Sequence, residues 1–219
     1  MSFIVAIDGP AGSGKGTIAK KVASKINAIN VDTGAMFRCV ALQALRENVS
    51  LEEVEKIKNI LNNIEIDLKP NGKVFLNGED VSKAIREEEV SKYSSPISTI
   101  SDVREKLLHM QRKLGEFNDI VMEGRDIGTV VFPNANVKIY LDASPEERAK
   151  RRIRQNLEKG IKSNYEEVLE EIKKRDFRDI SRDIAPLKKA EDAIYIDSTN
   201  LSIEEVTEKI LDIIKSKIK

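Results

Sequence analysis

The sequence predicts an α/β fold of three layers around a central parallel sheet. Three observations indicate it: short apolar runs alternate with helical periodicity, polar residues follow the predicted strands, and a glycine-rich segment joins the first strand to the first helix. The first strand is predicted over 3–7, and the helix after the glycine-rich segment is predicted to end near Lys25. Polar residues at the carboxyl ends of parallel strands line the ligand crevice in such folds.

The glycine-rich segment has the composition of a phosphate-binding loop. It is Gly9-Pro10-Ala11-Gly12-Ser13-Gly14-Lys15-Gly16-Thr17, close to the pattern G-x-x-x-x-G-K-[ST] except that Gly16 displaces the threonine by one position. Glycines let successive backbone N–H groups point at phosphate oxygens, and the helix N-terminus adds free donors. We predict that Lys15 supplies a mobile charge and that the Thr17 hydroxyl ligates magnesium. The alternative is a glycine-rich surface turn.

The rest of the chain continues the alternation of strands and helices. Thr33, in Asp32-Thr33-Gly34 after the second strand, is predicted to cap the next helix. Capping boxes are predicted where Ser144 and Ser202 precede helices. The further strands are predicted over 28–31, 119–122, 137–141 and 193–197, and the further helices over 35–47, 51–62, 101–117 and 202–217.

Between these elements the hydrophobic period changes to two. Residues 64–68 alternate, Asn71-Gly72 is a hairpin signal, and the apolar run 74–76 follows as the second strand, with another turn at Asn77-Gly78. We predict a small antiparallel sheet, inserted as a separate lobe over the site. The segment 82–101 is predicted to be helical in parts and broken around Ser94-Ser95-Pro96.

Composition excludes several classes of protein. Apolar residues make up 40% of the 219 residues, which is enough for a core. The 37 basic and 37 acidic residues balance, which argues against a general nucleic-acid binder. No apolar run approaches the length of a membrane span, and the single Cys39 excludes an intrachain disulfide. We expect a cytoplasmic protein without nucleic-acid or membrane partners.

The most charged part of the chain is 145–183. Arginines crowd two predicted helices joined at Gly160, and most of these charges are expected on solvated faces. The two helices also fit a mobile lid that brings guanidinium groups onto transferring phosphates. The sequence has neither a cysteine nucleophile nor a Ser-His-Asp set. Phosphoryl transfer to an acceptor that is itself a phosphate needs neither, because positioning and charge neutralisation dominate that reaction.

These residues resemble one family. The loop, with its extra glycine before Thr17, resembles that of the nucleoside monophosphate kinases, and within them the chain resembles the bacterial cytidylate kinases. The most specific matching segment is Gly124-Arg125-Asp126-Ile127-Gly128-Thr129-Val130-Val131-Phe132-Pro133. Segments 8–10, 32–34 and 175–187 match as well. Phe37 stands where the family usually has tyrosine, and Thr33 where it often has serine.

The resemblance implies a role for each matching residue. Lys15, Arg38, Arg125 and Arg182 are the implied catalytic residues. ATP is implied to bind residues 9–17 together with Arg151 and Arg152 of the lid. The implied CMP contacts are Thr33, Ser95, Arg104 and Asp126 at the cytosine, Arg38, Arg125 and Arg182 at the phosphate, and Arg175 and Asp179 at the pentose. Mg²⁺ is expected at Thr17, with Asp32 as a candidate contact through water.

The resemblance also implies an activity and a domain division. The expected reaction transfers the γ-phosphoryl group of ATP to CMP or dCMP, in a monomer. The expected domains are a core of 1–34, 102–144 and 184–219, an NMP-binding lobe of 35–101 and a helical lid of 145–183. Two alternatives stay open: another P-loop kinase acting on UMP, AMP or shikimate, and a nucleotide-dependent binding switch.

Overall fold

A five-stranded parallel sheet forms the centre of the molecule, in a computed structural model that describes residues 2–69, 72–158 and 160–218. Its strand order is β2-β6-β1-β7-β8. The strands are β1 (Ile4–Asp8), β2 (Ile29–Asp32), β6 (Ile120–Gly124), β7 (Val137–Asp142) and β8 (Ile194–Asp197). Because β1 pairs with both β6 and β7, the loop that follows it lies at the middle of the sheet edge.

Helices cover both faces of this sheet, so the predicted three-layer α/β fold is confirmed. Alternate residues of β1 face opposite ways: Val5 and Ile7 belong to one apolar cluster and Ala6 to the other. Helices α1 and α8 complete the first cluster, and α5 contributes to the second. The helices are α1 (Lys15–Lys25), α2 (Thr33–Arg46), α3 (Val54–Asn63), α4 (Glu88–Ile97), α5 (Ser101–Glu116), α6 (Pro145–Glu158), α7 (Tyr165–Ser181) and α8 (Ile203–Ile218).

The predicted small antiparallel sheet is also confirmed. It contains β3 (Ile66–Leu68), β4 (Val74–Leu76) and β5 (Glu79–Asp80), and it packs with α2, α3 and α4 around a second apolar core. The predicted turn at 77–78 has two residues with positive φ, as a tight hairpin turn requires. The other predicted turn includes Asn71, which lies outside the described residues.

Two local predictions were wrong. Thr33 does not cap α2: the helix begins at Thr33, and Asp32 caps it by accepting a hydrogen bond from the Ala35 amide at 2.9 Å. The predicted break at Ser94–Pro96 is absent, because α4 continues through Pro96 to Ile97. Proline has a helix-compatible φ and removes one donor, which is a small loss this close to the end of a helix.

The capping boxes differ from each other. At α8 the box is reciprocal: the Glu205 amide donates to Ser202 Oγ and the Ser202 amide donates to the Glu205 carboxylate. At α6 only half of it forms, because Glu147 pairs with Arg151 instead. Within the described ranges no helix is long and apolar enough to cross a membrane. The division into core, lobe and lid stays a prediction.

Candidate active site

The phosphate loop joins β1 to α1, and three of its glycines, at 9, 12 and 14, have positive φ values that other residues tolerate poorly. Gly9 has a φ of 150°, and a Cβ at this position would lie 1.9 Å from the Leu141 carbonyl oxygen. Gly14 precedes α1 with a φ of 95°. The strand, loop and helix therefore meet in the order that the sequence predicts, with the N-terminus of α1 open at the edge of the sheet.

Lys15 is buried at the base of this loop. Its Nζ donates to the Pro10 carbonyl oxygen at 2.7 Å and to Ser13 Oγ at 3.4 Å. Burial, together with the nearby positive charge of Arg125, lowers the pKa of Lys15 to about 7, although Glu123 opposes the shift. An anion bound in the loop would restore the charged ammonium, which is the behaviour expected of a phosphate-binding lysine.

Glu123 lies at the carboxyl end of β6 and faces the start of α1. Its Oε1 atom is 3.2 Å from the position that a Cβ of Gly16 would occupy. Burial and the charge of Asp32 raise the pKa of Glu123 to about 7, against the effect of Lys15. Glu123 is not among the predicted site residues. The sequence does contain a feature that could have identified it, which is an acidic side chain at the end of a strand predicted to lie beside the loop.

The residues around the loop offer only part of a ligand set for a divalent metal ion. The described residues contain no group of three or more His, Cys, Asp or Glu side chains that could hold a metal alone. Thr17 and Glu123 offer oxygen ligands, and Mg²⁺ in such sites commonly takes one or two protein oxygens plus substrate phosphates. Asp32 is less available, because one oxygen caps α2 and the other accepts from Arg38 Nη2 at 2.8 Å.

Opposite the loop, arginines from several elements lie close together. Arg125, after β6, donates from Nε to Asp179 of α7 at 2.9 Å. Arg38 of α2 is held by Asp32. Three buried guanidinium atoms have no hydrogen-bond partner among the described residues: Arg38 Nε, Arg175 Nε and Arg182 Nη2. Buried donors of this kind are rarely left unpaired in native proteins.

Two of these arginines also have shifted pKa values. Burial, followed by repulsion from Arg125, lowers the pKa of Arg175 to about 10. Burial, followed by repulsion from Arg104, lowers the pKa of Arg182 to about 10. The cluster also carries more positive than negative charge, because Arg38 and Arg125 already use Asp32 and Asp179, and Arg182 shares Asp126 with Arg104. A bound anion would supply both the missing acceptors and the missing negative charge.

Next to this cluster lies a second charged group with a different composition. Arg104 Nη2 donates to Asp126 Oδ2 at 2.5 Å, and Arg104 Nη1 donates to the Ser98 carbonyl oxygen at 3.1 Å. The Arg104 guanidinium lies over the Phe37 ring, 5.4 Å from its centroid, and is held in place by that contact as well. Asp126 Oδ1 is 3.6 Å from Arg182 Nη2, so the two groups adjoin.

Two residues predicted to contact cytosine already have partners. Ser95 is buried, and its hydroxyl accepts a hydrogen bond from Arg178 Nη1 at 2.6 Å. The Thr33 hydroxyl donates to the Glu123 carbonyl oxygen at 2.8 Å. Because that bond uses its only proton, Thr33 can offer a substrate only an acceptor. Ser95 keeps its own proton for another acceptor.

The two lid arginines predicted to contact ATP differ in their surroundings. Arg151 is tied beneath the loop: its Nη1 donates to the Ser13 carbonyl oxygen at 3.2 Å, and its Nη2 donates to the Ser198 carbonyl oxygen at 2.6 Å. Arg152 is exposed. One continuous cleft is lined by both arginines, the loop from Ala11 to Thr17, and the arginines opposite.

Asp8 links the strand that precedes the phosphate loop to the turn that follows β6. This buried residue ends β1, and its carboxylate accepts hydrogen bonds from the Ile127 amide at 2.8 Å and the Gly128 amide at 2.7 Å. Burial raises the pKa of Asp8 to about 6. The two amides begin the π-helical turn Ile127–Val131, so Asp8 fixes the segment that directly follows Arg125 and Asp126.

A parallel sheet with a phosphate loop, facing buried arginines across one cleft, defines the class of P-loop phosphotransferases. Two solved structures share the fold: a shikimate kinase from Bacteroides thetaiotaomicron (TM-score 0.50, 14% identity, 97% of this chain and 98% of that one) and an uncharacterized protein from Eubacterium ventriosum (TM-score 0.54, 16% identity, 98% and 99%).

Sequence comparison identifies the family within this class. The chain belongs to the cytidylate kinase family, whose model matches residues 5–216. The cytidylate kinase of Caldicellulosiruptor bescii is 51% identical over 98% of this chain and 96% of its own length. The cytidylate kinase of Bacillus subtilis is 51% identical over 97% and 96%. The resemblance inferred from the motifs is thereby confirmed.

Proposed function

We propose that this protein transfers the γ-phosphoryl group of ATP to CMP or dCMP, giving ADP and CDP or dCDP. The observation that carries the proposal is that three buried guanidinium nitrogens, on Arg38, Arg175 and Arg182, lack a hydrogen-bond partner among the described residues and lie across the cleft from the phosphate loop. A nucleoside monophosphate fits this cluster, because its phosphate oxygens can accept charge-assisted hydrogen bonds from Arg38 and Arg182 while its pentose can accept from Arg175. Membership in the cytidylate kinase family supports the assignment of the nucleotide.

The charged group beside the arginines suits a cytosine ring. Asp126 can accept from the exocyclic amine, and Arg104 can donate to the O2 and N3 acceptors of the base. Ser95 can add one further donated bond, because Arg178 already occupies its acceptor side. A uracil ring would present an oxygen to the Asp126 carboxylate, which is unfavourable. The pentose is assigned to Arg175 and Asp179.

The donor half of the site is assigned to residues 9–17. Successive amides of the loop would bind the β- and γ-phosphates, and Lys15 would follow the transferring group. Mg²⁺ fits Thr17 and Glu123, where it would neutralise charge on the phosphate oxygens when bound. Arg125 and Arg182 would stabilise the charge that develops between the two phosphates. The acceptor phosphate is itself an anion and needs no general base.

An assay of ADP release tests this proposal directly. Equal concentrations of CMP, dCMP, UMP, AMP and shikimate are offered with ATP and Mg²⁺. We expect CMP and dCMP to give the highest kcat/KM. If AMP or shikimate were the best acceptor, the proposal would be wrong, and ATP hydrolysis that ignored every acceptor would favour a binding switch instead.

Three expectations about the protein's surroundings stay predictions. We infer a monomer that acts in the cytoplasm on small nucleotides, without nucleic-acid or membrane partners. Cys39, the one cysteine of the chain, is buried, and burial raises the pKa of its thiol to about 12, in keeping with a residue that forms no disulfide. Sedimentation equilibrium of the purified protein with and without nucleotides tests the monomer.

A further inference from the structure

Arg148 in α6 is a buried charge that the predicted site does not include. Its side chain is 3% exposed, although the sequence places it in a run of charges expected to be solvated. Nε donates to the Ala143 carbonyl oxygen at 2.8 Å, and Nη1 donates to the Ala11 carbonyl oxygen at 3.1 Å. The guanidinium also forms a bidentate pair with Asp176, with distances of 3.0 and 2.6 Å.

These bonds join three segments of the molecule: the end of β7, the phosphate loop and α7. The bond to Ala11 affects the loop in a specific way. In a trans peptide the carbonyl and the following N–H point in opposite directions, so fixing the Ala11 oxygen also fixes the direction of the Gly12 amide. The stem of Arg148 lies against the same peptide, since a Cβ at Gly12 would lie 3.3 Å from the Arg148 Cβ.

Helix α7 connects this pair to the acceptor side. Asp176 follows Arg175, whose Nε is one of the unpartnered buried donors. One turn further, Asp179 accepts the hydrogen bond from Arg125. Within a single turn, α7 is thus bound to the phosphate loop through Asp176 and Arg148, and to the arginine cluster through Asp179.

We propose that Arg148 and Asp176 are a positioning pair that sets the distance and angle between the phosphate loop and the acceptor arginines. Neither residue is assigned a contact with a transferring phosphate; they act through the Ala11–Gly12 peptide and through α7. A bidentate arginine–carboxylate pair suits this role, because its planar fork fixes orientation as well as distance. The inference rests on the proposed phosphoryl transfer between the two halves.

Two substitutions at one position test the pair. Asp176→Asn removes the charge, and Asp176→Glu keeps the charge but adds one methylene. We expect each to lower kcat at saturating ATP and CMP by about tenfold or more, because misplacing the reacting groups by about 1 Å is enough for a large loss of rate. We expect the KM values for ATP and CMP to change less than about threefold, because each half still binds its nucleotide.

Arg148→Lys supplies the same measurement from the other partner, and the double variant Arg148→Lys/Asp176→Asn completes a cycle. If the two residues act as one unit, the double variant loses no more kcat than the worse single variant. The matched control is Glu79→Gln, which breaks the bidentate but exposed Arg46–Glu79 pair in the small lobe. We expect this control to keep the wild-type kcat.

The outcomes separate a positioning role from a merely structural one. If Asp176→Glu and Arg148→Lys, assayed well below their melting temperatures, kept the wild-type kcat, the pair would serve folding alone and the proposal would be overturned. Should Asp176→Asn fail to fold, these charge-conserving variants decide the question. A wild-type protein inactive on CMP contradicts the proposed function alone, whereas full turnover in the variants beside an active wild type contradicts the positioning role alone.

Discussion

The two halves of the cleft are built in different ways. The proposed donor half is one continuous segment, from Gly9 to Thr17, which offers a ligand backbone amides, a helix N-terminus and one lysine. The proposed acceptor half is assembled from side chains of α2, α4, α5, α7 and the turn after β6, and neighbouring carboxylates hold several of its arginines. A backbone site depends on local conformation, whereas a side-chain site depends on the packing of distant elements.

This contrast predicts that single side chains matter most in the acceptor half. Arg125→Ala should lower kcat by about a thousandfold, the scale seen when an arginine that stabilises phosphoryl transfer is removed. ATP should still bind within about threefold of the wild-type Kd, because the loop amides remain. Turnover and ATP binding are measured by ADP release and by calorimetry, with circular dichroism as the control for folding. A kcat near that of the wild type at saturating substrates would show that Arg125 does not stabilise the transferring phosphoryl group.

In the donor half, the backbone is the sensitive part. Gly9→Ala should cost roughly 3 kcal/mol of stability, because its Cβ would overlap the Leu141 carbonyl oxygen at a positive φ. Gly78→Ala is the matched control: Gly78 also has a positive φ, of 83°, but has open space around it. We expect the control to cost about 1 kcal/mol. Equal losses of free energy of unfolding in urea titrations would show that the contact with Leu141 is unimportant.

A substitution at the proposed base contacts should have a smaller effect, which changes the preference between nucleotides more than the rate. Asp126→Asn replaces a pure acceptor with a group that can also donate, so it can satisfy the O4 oxygen of uracil. We expect the preference for CMP over UMP, as a ratio of kcat/KM values, to fall by about tenfold. Asp212→Asn, at an exposed ion pair with Lys215, serves as the control. An unchanged ratio in Asp126→Asn would show that residues other than Asp126 select the base.

The smallest expected effect is a proton taken up on ATP binding. The pKa of Lys15 is lowered in the free protein, and a bound triphosphate should raise it again. Near pH 7.5 without magnesium, ATP should therefore bind with proton uptake, and its affinity should fall as pH rises through the pKa of Lys15. With magnesium the uptake should shrink, because a metal near Glu123 favours its ionised form. Calorimetry in buffers of different ionisation enthalpy measures this; equal heats would contradict the linkage.

The same contrast decides which parts of the structure could be predicted from the sequence. The phosphate loop could be predicted because its chemistry lies within nine consecutive residues with a strand before and a helix after. The role of Arg148 could not, because a buried arginine and a solvated one have the same local pattern, and only the contact with Asp176 and Ala11 distinguishes them. The acceptor residues came from the resemblance to a family and not from spacing.

Local errors have similar physical causes. Asp32 and Thr33 are both good capping residues, and the choice between them depends on where β2 ends and on the pull of Arg38 on the Asp32 carboxylate. Pro96 predicts a helix break when only its sequence neighbours are considered, yet the packing of α4 against α2 keeps the last turn helical. The contact of Ser95 with Arg178 could not be predicted locally, because it joins helices far apart in the chain; the role of Ser95 at the base stays a prediction.

The bonds that Asp8 makes bear on how the acceptor specificity of such a protein could diversify. Asp8 accepts hydrogen bonds from the main-chain amides of the turn after β6, so these bonds do not depend on which side chains the turn carries. The side chain at 126 could then be exchanged for another without releasing this turn from β1 or from the phosphate loop that follows β1. Redesign toward a new acceptor base should begin at 126, together with its partner Arg104, and leave Asp8 in place.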